Sequence, residues 1–256
     1  MDDLARIRDA VARRLRETGE TPFAVFDFDN TCIVNDVCEA TFAYLCGHEL
    51  LRDRALLGKE NPSSDYHERV FSTYYSLLKN GRLKAAYVLI ARMFSGFTPG
   101  EVEALTLAAI TEEGRRIGSK VLYGFHIERG LALRREVLAI ADFLKSKGVS
   151  VWVISATPEP AVRAAMQHFG IEAGLIGMRS VVQSGVFTSV LEEPLSMFEG
   201  KVACVQKYID SEHAPLLAVG DSMSDLPMLE TAEIKVVVDR TNELSKVGSE
   251  RGWFVI

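Results

Sequence analysis

The sequence predicts an α/β protein, a doubly wound parallel sheet in three layers with a long helical insert near its start. Three observations carry that reading. Short runs that are apolar nearly throughout (23–28, 149–154, 216–219 and 234–238) alternate with helical stretches, as in a parallel sheet covered on both faces. Residues from about 36 to 125 break the alternation with helical periodicity and few strand signals. Three of the apolar runs end in reactive side chains: Asp27 and Asp29, Ser155, and Asp221 with Asp225.

The elements follow in order. Leu4, Ile7, Val11 and Leu15 recur at helical spacing, so residues 2–17 are expected to form a helix that Gly19 stops. The 23–28 run is the first strand. Inside the insert, Thr98-Pro99-Gly100-Glu101 combines an N-cap, a first-turn proline and a third-position Glu, the signature of a capping box. A further helix is expected from about 128 to 147, ending at Gly148. Val149–Ile154 leads into Ser155-Ala156-Thr157, and Pro158 then opens a helix through Phe169 with Gly170 beyond it. Gly174–Met178 reads as a strand, and Val181–Val190, broken at Ser184-Gly185, as a hairpin. Lys201–Tyr208 is helical, Leu216–Val219 is a strand running into Gly220-Asp221-Ser222-Met223-Ser224-Asp225, and Ile234–Val238 is another. The expected organisation is a catalytic core of residues 1–34 and 127–256, with a helical lid or cap domain over 35–126.

Bulk properties narrow the class. A chain of 256 residues affords one or two domains, and 48% apolar with 25% charged residues is ordinary for a globular protein. The net charge of −6 offers no footprint for nucleic acid or an acidic membrane surface. No apolar stretch approaches the roughly 20 residues that span a bilayer. The first residues, Met1-Asp2-Asp3-Leu4-Ala5-Arg6, are polar and periodic, unlike a secretory leader, so a cytoplasmic protein is expected. Cys32, Cys38, Cys46 and Cys204 form no CxxC pair and have no His cluster beside them, so they are expected to be buried reduced thiols and not zinc ligands. Nothing in the sequence sets an oligomeric state.

The chemistry starts from Asp27 and Asp29. Side-chain alternation puts both acids on one side of a strand's carboxyl end, where they repel. They must either share a cation or divide into an anion and a proton carrier. Each motif alone has an ordinary reading: Asp-x-Asp as a turn or cap, Ser155 as a helix cap, Gly220-Asp221 as a turn. Ligands of open α/β sheets bind beyond the carboxyl ends of the strands, so three such motifs at equivalent strand ends point to one site. Lys201, which follows Gly200 between the second and third motifs, completes the set.

This order and spacing resemble the haloacid dehalogenase-like phosphatases. The resemblance rests on Asp27-Phe28-Asp29-Asn30-Thr31, Ser155-Ala156-Thr157, Lys201 and Gly220-Asp221 with Asp225, and it spans nearly the whole chain. The helical insert resembles the cap of the phosphoserine-phosphatase-like branch. The first segment and the phrases Asp65-Tyr66, Phe71-Ser72, Tyr74-Tyr75 and Phe94-Ser95-Gly96-Phe97-Thr98 are most similar to bacterial phosphorylcholine phosphatases, which are exported, whereas this N-terminus shows no export signal.

The resemblance implies a Rossmann-like core and hydrolysis of a small phosphorylated metabolite. Asp27 is the expected nucleophile and Asp29 the expected acid/base. Mg²⁺ is the expected cofactor, bound by Asp27, the Asp29 carbonyl and Asp221, with Asp225 either a ligand or an orienting group for metal-bound water. Ser155 and Lys201 are expected to hold the phosphoryl group, with Ala156 among the substrate contacts. An acid two residues after the nucleophile favours phosphatase or phosphotransferase chemistry over dehalogenation.

For the leaving group, aromatic faces beside a carboxylate suit a quaternary ammonium. The resemblance places Glu39 near a choline head group and Asp36 facing a substrate amine. Tyr74 and Tyr75 are the aromatic candidates, and as helix neighbours at most one is expected in a cage. The insert's aromatics are also expected to form its own core. Phosphocholine and phosphoethanolamine are therefore the leading substrates, with phosphoserine as the alternative. That alternative requires a cation for the carboxylate, from Arg52, Arg54, Arg69 or Arg92. A phospho-accepting signalling domain shares the residue set but has no use for the insert or for Asp29.

Overall fold

The computed structural model describes residues 3–17, 22–59 and 63–256. The chain opens with α1 (Asp3–Glu17) and β1 (Phe23–Phe26), then leaves the core through β2 (Ile33–Val34). It builds α2 (Val37–Gly47), α3 (Tyr66–Lys79), α4 (Leu83–Ala91), α5 (Pro99–Glu113) and a hairpin of β3 (Gly118–Leu122) and β4 (Phe125–Arg129). The return runs through β5 (Ala132–Leu133), α6 (Arg135–Ser146), β6 (Ser150–Pro158), α7 (Glu159–Phe169), β7 (Gly174–Met178) and a second hairpin, β8 (Ser180–Gln183) with β9 (Val186–Leu191). The last third holds α8 (Glu199–Tyr208), β10 (Leu217–Gly220), α9 (Leu226–Thr231), β11 (Ile234–Val237), α10 (Glu243–Glu250) and β12 (Phe254–Val255).

Among the described residues six strands form one sheet in the order β12-β11-β10-β1-β6-β7, and every neighbouring pair in it is parallel. β1 lies inside the sheet, and its four residues are all buried. Alternation divides them between two cores. Ala24 and Phe26 pack with Ile7, Val11, Val137, Ile140 and Val162 from α1, α6 and α7, while Phe23 and Val25 pack with Val205, Met228, Leu229 and Leu244 from α8, α9 and α10. This is the doubly wound three-layer arrangement expected from the apolar strands.

The insert has a separate apolar cluster around Phe42, Leu45, Tyr66, Phe71, Tyr74, Ile90 and Phe94. Most of its aromatics are therefore core anchors, with Phe42 and Phe71 stacked 5.5 Å apart. The capping box of α5 is formed: Thr98 N–H donates to Glu101 Oε2 at 2.8 Å, and Glu101 N–H to Thr98 Oγ1 at 3.2 Å. Outward and return crossings meet where β2 pairs antiparallel with β5, Ile33 opposite Leu133. Asn35, at a left-handed φ of 64°, ties the crossings by donating to the carbonyls of Arg129 and Gly130 at 3.0 and 2.9 Å.

Two expectations are corrected. Residues 118–129 form a hairpin and not the end of a helical stretch, and it crosses the 126/127 boundary drawn from the sequence. The next helix begins at Arg135, not near 128. The hairpin turn is Tyr123-Gly124 with φ of 48° and 79°, both left-handed as a two-residue primed turn requires. Tyr tolerates that conformation here because its hydroxyl donates to the Cys46 carbonyl at 2.7 Å. The Gly19 stop lies outside the described residues. All four cysteines are buried and unbridged, and among the described residues no helix is long and apolar enough to cross a membrane.

Candidate active site

Parallel pairing delivers the reactive groups to one edge of the sheet. Phe26 of β1 sits opposite Val219 of β10 on one side and Val153 of β6 on the other. Asp27 and Asp221 are the first residues beyond β1 and β10, so they emerge side by side. Asp27 N–H continues the ladder by donating to the Val219 carbonyl at 2.9 Å. The far end of β6 carries Ser155 and Thr157 to the same place.

Lys201 arrives from the first turn of α8 and is 1% exposed. Its Nζ donates to Asp27 Oδ1 and to Asp225 Oδ1, both at 2.6 Å. Two glycines permit these approaches. A Cβ on Gly200 would meet the Leu195 carbonyl oxygen at 1.8 Å, and one on Gly220 would meet Asp225 Cβ at 2.5 Å.

Asp27, Asp221 and Asp225 each present an oxygen within 4.8 Å of the others. The Thr31 hydroxyl donates to Asp27 Oδ2 at 2.9 Å and lies 3.4 Å from Asp221 Oδ1, so these two oxygens converge. Asp225 is already committed. Its Oδ2 accepts from the Asp221 and Ser222 amides, each at 3.1 Å, and from the Ser222 hydroxyl at 3.3 Å. It therefore braces the loop that presents Asp221. Arg240 Nη1 donates to Asp221 Oδ2 at 3.0 Å.

Electrostatics follow from burial. Loss of solvent, then the nearby Asp225 charge, pushes the Asp27 carboxyl well above its ordinary range while Lys201 pulls the other way. Burial and Asp225 likewise push Asp221 up to about 6, against Arg240. Burial opposes the Lys201 charge, but Asp225 and Asp27 outweigh it, so the ammonium is held more firmly than usual. Three buried carboxylates facing one ammonium and one guanidinium retain excess negative charge. An all-oxygen donor set of that kind fits a hard divalent cation.

Asp29, expected to offer a metal its backbone carbonyl, lines the same cavity, and its carboxylate is not part of this three-acid cluster. Its Oδ1 accepts the Val37 amide at the start of α2 at 2.7 Å, and its Oδ2 accepts the Thr157 hydroxyl at 2.7 Å, with Ser155 Oγ at 3.4 Å. Burial raises its pKa despite these bonds. The two acids of the Asp-x-Asp motif thus have different surroundings, one beside an ammonium and the other among neutral donors.

The cavity above them has a volume of about 110 Å³ and is lined by Asp27, Asp29, Ser155, Ala156, Lys201 and Asp221 from the core, and by Asp36, Cys38, Tyr74, Tyr87 and Ile90 from the insert. Asp36 caps α2, accepting the Glu39 amide at 2.8 Å. Glu39 and Tyr75 lie beside the cavity, in a smaller recess that Asp36 also lines. Tyr74 lines the cavity and Tyr75 the smaller recess, in keeping with the expectation that at most one of them enters a cage, although both hydroxyls donate to Glu39, at 2.7 and 3.3 Å. Neighbouring helix positions diverge by about 100°. These long side chains close on a carboxylate lying between them, with ring centroids 5.1 Å apart.

Sequence reasoning did not single out Thr31, Thr157, Tyr87 and Arg240 as site residues. Thr31 and Thr157 stand inside the quoted motifs. Arg240 follows β11, whose carboxyl end opens on the same edge, a position that strand order alone points to. Tyr87 and Ile90 share a helix face of α4, a spacing that does not distinguish cavity wall from core. Of the arginines considered for a substrate carboxylate, Arg52 is bound to Glu101 and the Gly96 carbonyl, and Arg54 lies over the Tyr66 ring. None of Arg52, Arg54, Arg69 and Arg92 lines the cavity.

Comparison with known proteins follows the same lines. Residues 24–230 match the family model for haloacid dehalogenase-like hydrolase. A phosphorylcholine phosphatase from Pseudomonas aeruginosa is 27% identical over 242 residues, covering 78% of this chain and 68% of that protein. A phosphoserine phosphatase from Halobacterium salinarum is 33% identical over 117 residues, covering 43% of this chain and 54% of that protein. Among solved structures, a protein of unknown function from Anaerococcus prevotii superposes with a TM-score of 0.70 at 19% identity, over 98% of this chain and 90% of that one. A phosphoserine phosphatase captured as a phospho-aspartyl intermediate analogue superposes at 0.53 and 18% identity, over 86% of this chain and 87% of that one, which speaks for a shared fold.

Proposed function

The chain belongs to the haloacid dehalogenase-like hydrolase family, and on that premise we propose that it is a Mg²⁺-dependent phosphatase of small, amine-bearing phosphomonoesters such as phosphocholine or phosphoethanolamine. The observation that carries this is the contrast between the two acids of one motif. Asp27 is paired with a buried ammonium at 2.6 Å, whereas Asp29 is held by the Thr157 hydroxyl and the Val37 amide. One is suited to act as an anionic nucleophile, the other to carry a proton.

In this reading Asp27 attacks phosphorus and the ester oxygen departs with a proton from Asp29, leaving phosphate on Asp27. Asp29 then takes a proton from the water that cleaves the aspartyl phosphate. Ser155 donates to a phosphoryl oxygen, and Lys201 offsets phosphoryl charge while holding Asp27 in line. Asp27 and Asp221 would hold the divalent ion, with the Asp29 carbonyl beside them and Asp225 bracing Asp221. When bound, that ion supplies positive charge to the phosphoryl oxygens.

The insert, from the β2/β5 crossing outward, serves as the cap. Among the described residues, its face toward the cavity contributes the carboxylate of Asp36 and the rings of Tyr74 and Tyr87, and no cation. A substrate amine finds a partner on that face and a substrate carboxylate does not, and Arg240, which lines the cavity from the core side, is already bound to Asp221, which favours the choline or ethanolamine ester over phosphoserine. Burial, then the negative charge of Asp29 and Glu39, raises the Asp36 pKa, a state that a cationic guest would relieve. Turnover of phosphocholine, phosphoethanolamine and phosphoserine with and without Mg²⁺ tests the proposal. Preference for the two amine esters supports it, and equal or greater activity on phosphoserine refutes the substrate assignment.

A further inference from the structure

We propose that Tyr87 sets how large a leaving group the site accepts, an inference that rests on the phosphatase reading above and deepens it. Tyr87 lies in the middle of α4, and its side chain lines the catalytic cavity on the insert side. The ring is backed by Phe198, on which it stacks with centroids 6.1 Å apart and planes inclined by 28°. Phe198 immediately precedes α8 at a φ of 51°, a left-handed conformation that an aromatic residue keeps only where its surroundings fix it. Those surroundings are apolar, with Ala91 of α4 buried against Met178 and Met197.

Lys84, one turn before Tyr87, lies over the same Phe198 ring at 5.3 Å and pairs with Glu199 at 3.3 Å. That ion pair is exposed and adds little, so the stack carries the contact. The segment that backs Tyr87 is also the one that launches Lys201. Wall and ammonium are therefore placed by one piece of chain. The span between phosphorus and the wall then depends on the side chain at position 87.

The test compares kcat/KM for phosphoethanolamine and the bulkier naphthyl phosphate in the wild type, Tyr87→Ala, Tyr87→Phe and Phe198→Ala, with thermal melts to verify folding. Tyr87→Ala is expected to shift the ratio toward naphthyl phosphate by about tenfold, the scale of a pocket volume change. Tyr87→Phe should restore the wild-type ratio, and Phe198→Ala should move it partway. Should Tyr87→Ala not fold, Tyr87→Leu is read in its place. An unchanged ratio in a folded small-residue variant overturns the inference alone, whereas a wild type inactive on both esters overturns the phosphatase reading and this inference with it.

Discussion

Lys201 Nζ lies 2.6 Å from Asp27 Oδ1, although 174 positions separate the two residues in the chain. The contact depends on the parallel pairing that brings β1 beside β10, on Gly200, and on Asp225, which shares the same ammonium at 2.6 Å. A buried charge of this kind acts on both the fold and the chemistry.

Replacing Lys201 with Met should show that dual role. Two buried carboxylates lose their partner, a change that costs about 3–5 kcal/mol. Denaturant titration should register that loss, and turnover should vanish. Adding Asp225→Asn to the variant should recover part of the stability and none of the activity, because it removes one of the orphaned charges. Full additivity of the two substitutions would mean that the residues do not act as a unit.

Asp29 should matter in proportion to how badly the leaving group needs a proton. With Asp29→Asn, alkyl esters are expected to lose about 100-fold or more in kcat, the usual scale of general acid catalysis. p-Nitrophenyl phosphate, whose leaving group departs readily as an anion, should lose much less. Thr157→Val, which removes the 2.7 Å bond to Asp29, should show the same leaving-group trend in weaker form. Uniform losses across leaving groups would assign Asp29 a structural role.

Divalent ions should stabilise the protein through Asp221. At about 100-fold excess over Kd a ligand adds roughly 2.7 kcal/mol. For a chain of this size that corresponds to a rise of several degrees, at about 2–4 °C per kcal/mol. Chelation should reverse the rise and abolish activity, and Asp221→Asn should melt at one temperature with or without Mg²⁺. A persistent magnesium shift in that variant would move the ion elsewhere.

His67 predicts the acid behaviour of the insert. It is 2% exposed, packs edge-on to Tyr66, and neither ring nitrogen has a hydrogen-bond partner among the described residues. Burial, then Arg54, lowers its pKa from 6.5. The folded state therefore favours the neutral ring. Its contribution to stability is present above about pH 6.5 and is lost as pH falls toward the depressed folded value. Melting temperatures should drop between pH 7.5 and 5.5 in the wild type and drop less in His67→Leu. Parallel pH profiles for the two proteins would exclude His67 as the titrating group.

The sheet and the convergence of its strand ends were legible because apolar runs, strand-end acids and turn residues all report the same topology. Val149–Ile154 and Leu216–Val219 could hardly be anything but buried strands, and the Thr98–Glu101 capping box announces its helix through local chemistry alone. The 118–129 hairpin escaped because Tyr123-Gly124 lacks the Asn or Asp that usually marks such a turn, and its stabilising partner, the Cys46 carbonyl, lies 77 positions away. Arg240 and Tyr87 escaped for a related reason. Their position at the cavity depends on strand order and on the docking of α4 against Phe198, and neither leaves a periodic trace. Tyr74 and Tyr75 were both legible as candidates, but which of them lines the cavity depends on how α3 docks, and helix spacing alone does not decide that.

The central claim is that Asp27 carries phosphate during turnover. Rapid acid quenching of the wild type during hydrolysis of p-nitrophenyl phosphate, followed by peptide mass mapping, reads this directly. A phosphate adduct on the peptide containing Asp27, absent from an inactive Asp27→Asn variant, is the predicted result. Sustained hydrolysis by Asp27→Asn, or turnover with the adduct on another residue, would contradict it.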